Sequence, residues 1–234
     1  SGVTINVLTG SGYGILFGQN YDPDQPQAIV KTAPPSAKNK YSKSLGYMIW
    51  DGGYNKSIRF VLVTRRNVNQ YFHNVIYMKQ GSANNQIKNC MFENNYKNAA
   101  GTNLTPHIFL PHLRTSGSLV DYMTDNYLST TGYSAAIVLR TVAPKDISGG
   151  NTLYNLDTLT CNNNIISGNE ISGFGYGVVD MGGGALMRIG HNQWTKYYNS
   201  NNTISNNIIK NVSRAGIWLG YTENEKVTGN RIYN

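Results

Sequence analysis

Twelve carboxylates among 234 residues leave few ways to build an acid-base site. The best placed is Asp180, which closes the short apolar run GYGVV and precedes the stretch MGGGALMRIG. Glu223 or Glu225, in the turn after Ile217-Trp-Leu, would supply a partner one repeat away. Two carboxyl groups flanking a glycosidic bond can serve as acid and as base or nucleophile, so Asp180 and Glu223 are the candidate catalytic pair. The plainer alternative is a turn aspartate capping backbone amides, accompanied by solvated glutamates.

A lyase would need other groups: calcium or arginine to neutralise a sugar carboxylate, and a lysine, arginine or histidine as base. Asp22 and Asp24 in YDPDQP come nearest to a calcium cluster, but a proline-flanked turn explains both, and no cofactor is expected. Arg65 and Arg66, with His73 close by, could hold an acidic sugar. His107 and His112 have no third ligand near them, which is poor support for zinc.

Aromatic residues give a different chemistry. Trp194, Tyr197 and Tyr198, with His191 and Lys196, combine flat apolar faces with polar neighbours, as a sugar-binding surface does. Trp50, with Tyr13, Tyr41, Tyr47 and Tyr54, could act similarly or pin long loops. The glycine-rich GSGYG and GSANNQ lack the spacing and the following helix of a phosphate loop.

The elements that must position these residues are short strands. Charged residues make up only 14% of the chain, while glycine, tyrosine and asparagine are common, which argues against helices and against disorder. The net charge of +8 favours an anionic partner, but no run of five basic residues exists, so a nucleic-acid arm is not expected. Cys90 and Cys161 are too few for a disulfide framework, and free thiols are expected. No apolar run reaches the roughly 18 residues of a membrane span.

Repetition decides the architecture. The phrase apolar-x-x-Asn-x-apolar occurs at Ile166–Ile171, Ile204–Ile209 and Val227–Ile232, with a looser copy at Met123–Leu128. At Ile87–Phe92 the apolar positions persist but Cys90 replaces the asparagine. A second phrase, a small residue followed by a short apolar strand, appears in GYGVVD, AGIWLG, GYSAAIVL and GYGILFG. Three short strands per repeat, stacked about 4.8 Å apart, fit such a period. Asparagine suits the bends because it tolerates left-handed backbone, and its amide can pair with the asparagine of the next repeat.

These phrases, clearest over residues 164–234, resemble the right-handed parallel β-helix superfamily of pectate-lyase-like enzymes, β-helical glycosidases, phage tailspikes and bacterial surface proteins. The resemblance implies an all-β solenoid with loop insertions near 19–56, 95–118, 141–156 and 181–200, all in one domain. The segment after Asp180 loosely resembles the D-x-G-G of some β-helical glycosidases, although Gly220 and Tyr221 stand where an acid would follow the next strand. Its first functional implication is an extracellular shaft on a cell surface or virion that binds glycans, trimeric if a tailspike. Its second is a glycoside hydrolase or polysaccharide lyase. Because the repeat restarts at Val227, the expectation is also that the sequence is a segment of a longer repeat protein.

Overall fold

The short apolar phrases become strands, and register shows why they repeat. The computed structural model describes residues 2–8, 12–17, 45–63, 73–79, 81–95, 134–141, 160–188, 193–212 and 214–233. Among them every regular element is a strand, and three open, all-parallel sheets dominate. No described helix is long and apolar enough to cross a membrane.

Sheet I contains β1 (Val3–Leu8), β5 (Ile58–Val63), β9 (Cys90–Asn95), β12 (Glu170–Ser172), β18 (Ile208–Lys210) and β22 (Arg231–Tyr233), in that spatial order. Sheet II runs β2 (Gly12–Phe17), β6 (His73–Lys79), β10 (Ser134–Arg140), β13 (Tyr176–Met181) and β19 (Ala215–Gly220). Sheet III runs β4 (Ile49–Asp51), β8 (Gln86–Lys88), β11 (Ile165–Ser167), β17 (Thr203–Ser205) and β21 (Lys226–Thr228). Each pass of the chain visits sheet III, then I, then II, as in β11, β12 and β13 or β17, β18 and β19. Spatial order within each sheet follows sequence order, so each pass lies beside the one before it.

The copies of the first phrase pair in register. Ile87, Ile166, Ile204 and Val227 form one row across sheet III, and Trp50 occupies the same row in β4. Phe60, Phe92, Ile171, Ile209 and Ile232 form the matching row across sheet I. In sheet II the row is Ile76, Ile137, Val178 and Ile217. Apart from Val227 and Ile232 of the last pass, which are exposed, the three rows meet in one apolar cluster, in which Phe60 and Phe92 stack at 4.8 Å between ring centroids. Alternation places the central residue of β8, β11, β12 and β18 inward, and burying each such side chain contributes about 1.5–3 kcal/mol. The outer face of sheet II carries a second cluster of Tyr77, Ala135, Val138, Tyr176, Val179 and Met181.

Asparagine does two jobs at two adjacent positions. Asn163, Asn201, Asn206 and Asn224 hold left-handed backbone at φ 55–57°, and Gly168 and Gly229 fill equivalent places.

 The residue after each turn position points inward and bonds its counterpart in the next pass. Asn169 Nδ2 donates to Asn207 Oδ1 at 3.0 Å, and Asn207 Nδ2 donates to Asn230 Oδ1 at 2.9 Å. Asn85, Asn164 and Asn202 form a second ladder in the same way. Both cysteines stand on ladder positions. The Cys90 N–H donates to Asn169 Oδ1 and the Cys161 N–H to Asn199 Oδ1, while each thiol turns toward backbone carbonyls. Both thiols are free and buried, and desolvation raises them to about 11 for Cys90 and about 12 for Cys161.

Candidate functional site

Asp180 stands in β13 in register with Leu139 of β10 and Leu219 of β19, and Leu139 in turn pairs with Met78 of β6. A carboxyl therefore occupies an otherwise apolar row, with no exposed surface. Such a group must be hydrogen-bonded or neutral. Asn199 Nδ2 donates to its Oδ1 at 2.7 Å and Asn202 Nδ2 to its Oδ2 at 2.9 Å. Asn199 is held in turn by the Thr141 hydroxyl, which donates to its Oδ1 at 2.5 Å. Burial outweighs these two amides and pushes Asp180 up to about 7.

Of the two candidate partners, Glu225 is the one that shares a hydrogen-bond donor with Asp180. Glu225 Oε1 accepts from the same Asn202 nitrogen at 3.2 Å, so the two carboxyls lie within the sum of two hydrogen-bond lengths. Half-buried, Glu225 rises to about 8, through desolvation first and the Asp180 charge second. Glu223, at the end of β20 (Thr222–Glu223), is exposed. Other described acids are engaged in ion pairs on the outer surface: Asp51 with Lys88, Glu93 with Arg59, and Glu170 with Lys210. Such exposed pairs contribute about 0–1 kcal/mol each.

Residues 184–188 and 193–197 leave the three-sheet arrangement. There β14 (Gly184–Arg188) and β15 (Gln193–Tyr197) form an antiparallel hairpin. The chain then returns through β16 (Asn199–Ser200), which pairs with β20. Two pairs of aromatic rings, together called the ledge, include Trp218 and Tyr221, which pack against the outer cluster of sheet II. Tyr176 and Trp218 stack at 5.0 Å, Tyr198 and Tyr221 lie 5.9 Å apart, and Lys196 Nζ sits 5.4 Å from the Tyr198 ring centre. Trp218, Tyr198 and Tyr221 are half-buried and Lys196 is exposed, so the ledge meets solvent. Tyr221 also holds φ 51°, a region that bulky side chains seldom adopt and that is concentrated at functional positions.

The chain matches no protein-family model, no curated protein and no solved structure.

The other sequence candidates divide by placement. Tyr198 joins the ledge, but Tyr197 is only 2% exposed and offers no face to a ligand. Trp50 packs inward, edge-on to Phe60 at 5.6 Å, with its Nε1 buried and without a hydrogen-bond partner. Tyr47 and Tyr54 are exposed, away from any described ring contact. Trp194 pairs through its backbone with Met187 in the hairpin. His191, Arg65, Arg66, His107, His112, Asp22, Asp24 and Tyr41 lie outside the described residues. Among those described, no group of three or more His, Cys, Asp or Glu gathers as a metal site. Sequence reasoning missed Trp218 and Tyr221 as surface residues. Trp218 sits in an apolar strand phrase, and only its outward register, beside Val179, reveals its role.

Proposed function

We propose that this chain is a β-solenoid of the right-handed parallel β-helix kind, acting as a rigid extracellular scaffold that binds a surface glycan. The observation that carries the reading is the ledge of Trp218, Tyr198 and Tyr221 with Lys196 at its margin. Sugar rings present apolar C–H faces that lie against aromatic rings, while a lysine can meet a hydroxyl or carboxylate at the edge. Sheet II supports the ledge from beneath through Tyr176 and Val179, which holds the rings in place before a ligand arrives. A cell surface or virion is the setting that suits such a scaffold, and a trimer is the assembly expected of a tailspike.

The test is binding of the whole chain to a panel of neutral and acidic polysaccharides by calorimetry. Trp218→Ala and Tyr198→Ala should each weaken binding about tenfold, equivalent to about 1.4 kcal/mol, without changing the circular dichroism spectrum. Absence of binding across the panel, or binding indifferent to both substitutions, would sink the proposal.

A second reading, glycoside hydrolysis, is favoured by one observation: Asp180 and Glu225 share an amide and are both raised. Paired acids with raised titration are common where proton transfer is catalysed. Against it, Asp180 is wholly enclosed and its oxygens are taken by Asn199 and Asn202. Reducing ends released by the native chain but not by Asp180→Asn would establish the enzyme reading. The scaffold reading expects no release from either.

A further inference from the structure

The second asparagine ladder ends in an acid. Asn85, Asn164 and Asn202 precede β8, β11 and β17, and Glu225 takes the equivalent place before β21. A regular rung balances its hydrogens. Asn164 Oδ1 accepts from the backbone and side-chain nitrogens of Asn85, each at 3.0 Å. Its two Nδ2 hydrogens go to the Ser82 carbonyl and to Asn202 Oδ1, each at 3.1 Å.

The next rung does not balance. Asn202 Nδ2 again carries two hydrogens but faces three oxygens: the Cys161 carbonyl at 2.9 Å, Asp180 Oδ2 at 2.9 Å and Glu225 Oε1 at 3.2 Å. Glu225 Oε2 is meanwhile buried without a hydrogen-bond partner. The set is short of one proton. A neutral carboxylic acid has both an acceptor and a donor oxygen, as an amide has both an acceptor and a donor, so a protonated glutamate can stand in for the missing asparagine.

We propose that Asp180 and Glu225 hold one proton between them near neutral pH, and that losing it loosens the last pass, β20 to β22, from the Asn202 rung. The rung is thus a latch that weakens as pH rises.

Among the described residues, no lysine or arginine forms an ion pair with either acid. Asp180 faces Asn199, Asn202 and the Cys161 thiol, with Leu139 and Leu219 beside it in its row. The thiol stays neutral because burial holds it at about 12. Arg140 is in register with Met181, one position beyond the Asp180 row. On the stretch carrying Glu225, Glu223 and Lys226 are exposed. Burial is the leading cause for both acids, raising Asp180 from 3.8 to about 7 and Glu225 from 4.5 to about 8. As neighbours they titrate as a pair.

The sign follows from linkage. Both folded values lie above the unfolded ones, so the folded chain binds protons more tightly. The stabilisation is complete below the ordinary carboxylate range and is lost as pH rises through about 7 to 8.

Thermal unfolding of the full chain at pH 5 and pH 9 tests this, alongside Glu225→Gln. The native chain should lose about 5 °C more in Tm over that interval than the variant, whose amide supplies donor and acceptor at every pH. Equal losses would overturn the proposal. A carbon-detected NMR titration of the native side-chain carboxyls gives an answer even if the variant does not fold. Glu225 titrating above pH 6 supports the shared proton, and titration in the ordinary range near 4.5 overturns it.

Discussion

Asn169→Ala is expected to destabilise the fold by about 3–5 kcal/mol, far more than the loss of a surface asparagine. The side chain has no exposed surface and serves three partners. Its Oδ1 accepts from the Cys90 N–H at 2.9 Å. Its Nδ2 donates to the Ile87 carbonyl at 2.9 Å and to Asn207 Oδ1 at 3.0 Å. Alanine would leave a buried N–H and a buried carbonyl unpaired at about 1–3 kcal/mol each, and would open a void beside them. Asn207 Oδ1 would keep the Asn169 backbone N–H, which limits the damage on that side.

Two further substitutions separate laddering from turn formation. Asn169→Asp keeps the acceptor but removes both donors, so it should cost at least as much as alanine at pH 7 and recover in acid. Asn206→Gly should change stability by less than about 1 kcal/mol, because Asn206 is exposed with φ 55°, a conformation glycine adopts readily. Urea denaturation of the three variants, with m-values compared, provides the measurement. A cost at Asn206 equal to that at Asn169 would show that the ladder is not what holds the passes together.

The contrast between these neighbouring asparagines shows what could be read from the sequence. The phrases built on Ile166, Ile204 and Val227 gave the register directly, because parallel stacking puts like residues on like. Cys90 was visible as a substituted rung for the same reason. The division between a left-handed asparagine and a laddering one was not visible, since both roles select the same residue type. Glu225 was equally hidden. Its place in the ladder depends on counting from Val227, whereas its charge suggested a solvated turn. The looser copy at Met123–Leu128 falls outside the described residues. The aromatic ledge was legible only at Tyr198, because its other half comes from Trp218 and Tyr221 in the following pass, brought alongside by pairing between β13 and β19.

Gly177→Ala should cost about 2–4 kcal/mol, although it adds one methyl to a strand with unremarkable backbone angles. In sheet II the residue before each inward Ile or Val also contributes to the interior: Val75 before Ile76 and Ala136 before Ile137. In the later passes this position shrinks to Gly177 and then Gly216. The reason lies across the interior. A Cβ on Gly177 would stand 2.7 Å from Ile209 Cγ2 and would overlap the Gly216 carbonyl oxygen, while one on Gly216 would stand 2.6 Å from Ile232 Cγ2. Sheets I and II approach closely there, and the isoleucines of sheet I occupy the space that a side chain on sheet II would fill. Ile209→Ala should therefore rescue only part of the Gly177→Ala loss, because it clears the methyl contact but leaves the carbonyl of Gly216 in the way. A double-mutant cycle with a coupling of about 1 kcal/mol is the expected outcome, and strict additivity would show that the two sheets do not meet at Gly177. Size at this one position thus sets how near the two sheets come, which no repeat phrase records because it varies from pass to pass while the rows around it stay the same.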